Sequence, residues 1–81
     1  MEVNKMEKLL EILEEIKPGV DYENIDTLIN DHYLDSLSIL SLISELEDEF
    51  DIVIPTVEII PDNFNSVKSM MALINKLKEE D

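Results

Sequence analysis

The stretch Leu34-Asp35-Ser36-Leu37-Ser38-Ile39-Leu40-Ser41-Leu42-Ile43-Ser44-Glu45-Leu46-Glu47-Asp48-Glu49-Phe50 decides the fold. Asp or Ser ahead of an apolar-periodic run marks a helix start, because its side-chain oxygen accepts from a backbone N–H that would otherwise lack a partner. The spacing predicts a helix that begins at Asp35 or Ser36 and ends near Phe50. At about 100° per residue, Ile39, Leu42, Ile43, Leu46 and Phe50 share an arc of roughly 100°, the width of a core-facing stripe. Leu37 and Leu40 fall outside that arc, on the side that holds Ser36, Ser41, Ser44, Glu47 and Asp48. Two readings of that side are open. Ser36 and Asp35 can be capping residues beside ordinary surface leucines. Alternatively, an apolar centre with a polar rim can be a small docking site that presents one hydroxyl.

Three further segments flank this helix. Met6, Leu9, Leu10, Leu13 and Ile16 recur at helical spacing within Val3 to Lys17, with Glu7, Glu11, Glu14 and Glu15 opposite. Pro18-Gly19 stops that helix. From Val20 to Leu34 the period is lost, and Asp21, Asn24, Asp26, Asn30 and Asp31 predict a long loop pinned to the core by Ile25, Leu28 and Ile29. So long a connection in a small chain is functional or carries a helical turn of its own. A very short helix is expected from an N-cap at Thr56 to a stop at Pro61. The last helix opens at a Ser66 cap and shows Val67, Met70, Met71, Ile74 and Leu77 as its stripe. Ile52-Val53-Ile54 is the one β-branched run, and Pro55 cuts it short. The expectation is an all-α fold, a small three- to four-helix bundle with a long loop between helices 1 and 2, forming a single domain over residues 1–81.

Composition narrows the chemistry. The 81 residues contain no cysteine, so disulfides, thiolate catalysis and Cys-bound metals are excluded. One histidine, His32, cannot assemble a structural zinc site, which takes four ligands. The stretch Asp21 to His32 fails as a calcium loop, since its sixth and twelfth places hold Asp26 and His32 instead of Gly and Glu. A net charge of −14 at pH 7 argues against nucleic acid and anionic membrane surfaces as partners. It favours basic protein surfaces, although acidity can also serve solubility alone. No apolar run approaches the ~20 residues of a membrane helix, and a cytoplasmic location is the expectation. His32, flanked by Asp31 and Asp35, stands four residues before Ser36. A serine nucleophile also needs an oriented base and an oxyanion hole, and no Gly-rich turn is present to build one.

Taken in order, Leu34-Asp35-Ser36-Leu37, the acidic run Glu45 to Glu49, Phe50-Asp51-Ile52-Val53-Ile54-Pro55 and a last helix opening at Ser66 resemble the acyl carrier protein family, the phosphopantetheine-binding domains. The likeness covers nearly the whole chain. It implies that Ser36 takes 4′-phosphopantetheine covalently from coenzyme A, by way of a separate Mg²⁺-dependent phosphopantetheinyl transferase. It further implies that Asp35 and Leu37 aid transferase recognition. Leu37, Leu40, Ser41, Ser44, Glu47 and Asp48 would then meet basic, partly apolar patches on acyl or aminoacyl ligases and synthases. The implied protein is a monomeric, non-catalytic carrier of a thioester in a fatty-acid, polyketide, peptide or D-alanyl pathway. Phe50 to Pro55 with Asp62-Asn63-Phe64-Asn65-Ser66 looks most like the D-alanyl and aminoacyl carriers. Two departures stand out. His32-Tyr33 occupies a place where many members carry glycine, and Ser41 and Ser44 replace residues that fatty-acid carriers often have acidic and apolar respectively. The rival reading is an acidic helical adaptor that binds a basic protein and is never modified.

Overall fold

A computed structural model describes residues 4–79. Its elements, in chain order, are α1 (Lys5–Ile16), α2 (Ser36–Phe50), a 3-10 turn (Thr56–Glu58), α3 (Pro61–Phe64) and α4 (Val67–Glu79). No strand occurs among the described residues, so the chain is an all-α four-helix fold. α1 packs against both α2 and α4, and α3 closes on α4.

α1 starts where the Asn4 side chain accepts from the Glu7 N–H at 2.8 Å. The expected start at Val3 lies outside the described residues. Leu9 and Leu13 of the expected stripe are buried and Leu10 and Ile16 half-buried, whereas Met6 is exposed and Ile12 joins the core, so the inner face is shifted slightly to one side. The reason is geometric: a helix wedged between two partners buries the stripe that faces the gap between them. Lys17 closes the helix by donating its N–H to the Leu13 carbonyl at 2.8 Å, and Gly19 turns the chain at φ +83°.

α2 contributes Leu42, Leu46 and Phe50 to the core, with Ile39 and Ile43 half-buried against it. Asp51 ends it in the left-handed conformation, φ 53°. The next residues run extended, with Ile52 and Ile54 buried and Val53 exposed. This two-residue alternation resembles a strand but joins no sheet; Glu47 holds it, its carbonyl accepting from the Ile52 N–H at 3.2 Å and its Oε2 from the Ile54 N–H at 2.8 Å.

Two expectations about the following segment are corrected. Thr56 is the first residue inside the 3-10 turn and Pro55 holds the cap position, with no side-chain cap bond. Pro61 opens α3 rather than ending a helix, because the first helical position needs no N–H and suits proline's fixed φ. Ser66 caps α4 as expected, its Oγ accepting from the Ser69 N–H at 3.1 Å. Leu73 joins Val67, Met70, Ile74 and Leu77 in the buried face, while Met71 stays half-buried.

The loop from Val20 to Leu34 is fastened along its length. Leu28 and Leu34 are buried, and Ile25 and Ile29 pack on the core. Its first anchor, which hydropathy alone did not reveal, is Tyr22. The ring is buried and its hydroxyl donates between two carbonyls at the C-terminus of α1, Lys17 O at 2.5 Å and Leu13 O at 3.2 Å. The Leu13 carbonyl also accepts the Lys17 N–H, and the Lys17 carbonyl is one that the helix end leaves without an intrahelical partner.

Candidate functional site

The junction of this loop with α2 separates two neighbouring residues by role. Asp35 is extended (φ −92°, ψ −179°) and its carboxylate accepts from the Ser38 N–H at 2.8 Å. That contact, with the hydroxyl of Ser38 and the positive charge of Lys17 assisting, holds the Asp35 carboxyl below the usual carboxylate range. With the cap filled by Asp35, Ser36 becomes the first helical residue, and it is exposed.

The approach to this junction is a compact turn. Asp31 N–H bonds to Thr27 O at 2.8 Å, His32 N–H to Ile29 O at 3.1 Å and Leu34 N–H to Leu28 O at 3.0 Å. His32 closes it in the left-handed region, φ 62°, and its side chain is exposed. This accounts for the missing glycine: the turn needs a positive φ, and histidine is among the side chains that reach it more often than most.

The other singled-out residues lie along the outer side of α2. Leu37 is 76% exposed and Leu40 64% exposed, and Ser41, Ser44 and Asp48 are exposed with them. Glu47 is half-buried, and one of its carboxylate oxygens is engaged by the Ile54 N–H, so it stands partly inside the structure. Ser44, Glu45, Glu47 and Asp48 line a shallow polar hollow. Leu37, Ser38, Ser41 and Glu45 line another, together with Glu15 and Ile16 of α1.

Two features were not anticipated from the sequence. Val53 and Val57 add exposed apolar surface beyond the end of α2, at 77% and 81% exposure. An apolar cleft of about 180 Å³ is lined by Ile29, Ile39, Ile59, Ile60, Pro61 and Phe64. Ile39 lies one helical turn beyond Ser36 and so places the cleft's α2 wall beside the serine end of the helix. Its lining comes from three separate segments, the long loop, α2 and residues 59–64, which no local periodicity can connect. Among the described residues no three acidic or histidine side chains group as a metal site.

The geometry is thus an exposed serine at the head of a helix, with capping delegated to its neighbour and an acidic face behind it. A family model described as the phosphopantetheine attachment site matches residues 7–74. The chain belongs to this acyl-carrier-protein-like family of phosphopantetheine-binding carriers, and it is a non-catalytic carrier. The acyl carrier protein of Streptococcus thermophilus is 35% identical over 71 residues, 86% of this chain and 90% of that protein. Aminoacyl carrier protein 2 of Bradyrhizobium diazoefficiens is 44% identical over 41 residues; that match spans 51% of this chain and about half (46%) of that protein. No solved structure matches the chain.

Proposed function

We propose that Ser36 is the attachment point for 4′-phosphopantetheine and that the chain shuttles an acyl or aminoacyl thioester between partner enzymes. The observation that carries this reading is the exposed Ser36 at the first position of a fifteen-residue helix, in a chain of the phosphopantetheine-binding family. The local residues suit a phosphodiester. Backbone N–H groups of the first turn and the positive end of the helix dipole favour an anion at this point. When bound, the group supplies a terminal thiol, which a chain without cysteine lacks. In that transfer Ser36 Oγ would bond to the β-phosphorus of coenzyme A as the pyrophosphate P–O bond breaks, adenosine 3′,5′-bisphosphate leaves, and the serine proton passes to a base of the transferase. A base within the carrier is therefore not required.

The exposed leucines Leu37 and Leu40, among Ser41, Ser44 and Asp48, suit transient contact with basic, partly apolar surfaces on the transferase and on ligases or synthases. Charge steers such encounters and lets partners part quickly. The wholly apolar lining of the cleft beside α2 supports a cargo with an aliphatic end. The stretch Asp62-Asn63-Phe64-Asn65-Ser66 and the likeness to an aminoacyl carrier support an aminoacyl cargo. A monomer working in the cytoplasm is part of the same reading.

Intact mass after incubation with coenzyme A, Mg²⁺ and a broad-specificity transferase tests it. The expected result is a gain of one phosphopantetheine by the wild type and none by Ser36→Ala. An unchanged mass with several transferases would instead favour the unmodified adaptor.

A further inference from the structure

Among the described residues Asn65, at the junction of α3 and α4, buries an amide side chain within the fold and is 9% exposed. Its Oδ1 accepts from two successive backbone N–H groups of the long loop, Ile29 at 2.9 Å and Asn30 at 3.0 Å. Its own carbonyl accepts from a third, Leu28 N–H, at 2.9 Å. Three consecutive loop amides are thus held by one residue more than thirty positions away. The held amides belong to the turn that leads into Ser36. Leu28 returns its carbonyl to the Leu34 N–H, and Ile29 returns its carbonyl to the His32 N–H. Leu34 then stands directly before the Asp35 cap. Ile29 and Phe64, neighbours of the clamp on its two sides, also form facing parts of the apolar cleft.

We infer that Asn65 is a positioning residue for the modification of Ser36, an inference that rests on the carrier reading above. Asn65 ties the loop on one side of Ser36 to the α3–α4 junction, so the transferase meets the serine, His32 and Tyr33 in a single arrangement. Asn65→Ala leaves the Ile29 and Asn30 N–H groups without an acceptor and loosens that part of the turn, while the backbone bond from Leu28 N–H and the α1–α2–α4 core persist. Asn65→Asp keeps an oxygen in the same place and restores the clamp.

The test combines backbone hydrogen exchange with transferase kinetics on the full chain. In Asn65→Ala the Ile29 and Asn30 amides are expected to exchange about tenfold faster, the scale of a lost pair of hydrogen bonds. Leu42 and Leu46 should keep their protection. The transferase KM for the carrier should rise about fivefold or more with kcat little changed, and Asn65→Asp should recover most of the loss. Leu77→Ala, on the far end of α4, serves as a control of reduced stability. If it slows transfer as much as Asn65→Ala at equal loss of thermal stability, or if Asn65→Ala is modified at the wild-type rate, the positioning role is refuted. A wild-type chain that gains no phosphopantetheine refutes the carrier reading itself, and the two failures are therefore distinct.

Discussion

Asp35 and Ser36 are both good capping residues, and the backbone decides which of them does the capping. With Asp35 extended and bonded to the Ser38 N–H, the serine hydroxyl is left on the surface. Asp35→Ala removes the acceptor and should lower the thermal midpoint by about 4 °C, whereas Asp35→Asn, also a strong cap, should lower it less. Because the folded carboxyl is held below its ordinary range, its contribution is present above about pH 4 and is lost as pH falls through the lower folded value. The stability gap between wild type and Asp35→Asn, followed from about pH 5 down to pH 2, should therefore close. Tyr22 titrates in the opposite sense. Burial, with the charge of Glu14, pushes its phenol up to about 12, so the neutral form is the one that the fold holds. Its stabilisation is complete below about pH 10, the unfolded value, and drains away as pH climbs toward 12. Tyr22→Phe should cost about 1 kcal/mol near neutral pH and flatten that alkaline decline, read from denaturant midpoints. Of these roles, the Asp35-Ser36 cap was legible from residue type and position. The anchoring by Tyr22 was not, since its partners are carbonyls at the end of another element.

At the scale of elements, periodicity located helices well and their inner faces less well. The inner face of α2 was legible because it meets one packing environment, and Leu42, Leu46 and Phe50 are buried as their spacing predicts. α1 and α4 each touch more than one neighbour, so Ile12 and Leu73 entered the core where a single-stripe reading left them out. Pro61 shows the same limit: proline ends one element and equally begins another, and only the chain's path chooses. Leu46→Ala, at full burial, should destabilise the fold by about 2–5 kcal/mol in denaturant unfolding. That is a large part of the whole margin of a domain this size. By contrast Leu40→Ala, on the exposed side of α2, should leave the unfolding midpoint within about 0.5 kcal/mol of wild type. If Leu40 meets the transferase, the same variant should raise its KM for the carrier. Surface pairs such as Lys8 with Glu49, which join α1 to α2 at 2.8 Å, add little.

Across the whole molecule, twenty acidic residues face six lysines and no arginine. Self-repulsion on that scale loosens the folded state at low ionic strength. The thermal midpoint should rise with NaCl, and further with divalent cations, while association with a basic partner should weaken over the same salt range. A flat thermal midpoint across that series would mean that the charge is spread too widely to strain the fold. Some of the repulsion is offset locally: Lys76 pairs with Glu58 and holds its carboxyl below the usual range, and Asn63 donates to the Glu58 carbonyl at 2.7 Å. These contacts fasten the 3-10 turn, whose following residues Ile59 and Ile60 border the apolar cleft. What the sequence determined by itself was local: helices from 3.6-residue spacing, the cap at Asp35-Ser36, the outward side of Leu37 and Leu40, and the absence of thiol chemistry from the side chains. Those follow from forces between residues a turn or less apart. The tertiary structure alone decided the clamp of Asn65 on the long loop, the Tyr22 anchor and the assembly of the cleft. Each joins groups far apart in the chain, and a backbone amide carries no mark in the sequence of which distant oxygen it will meet.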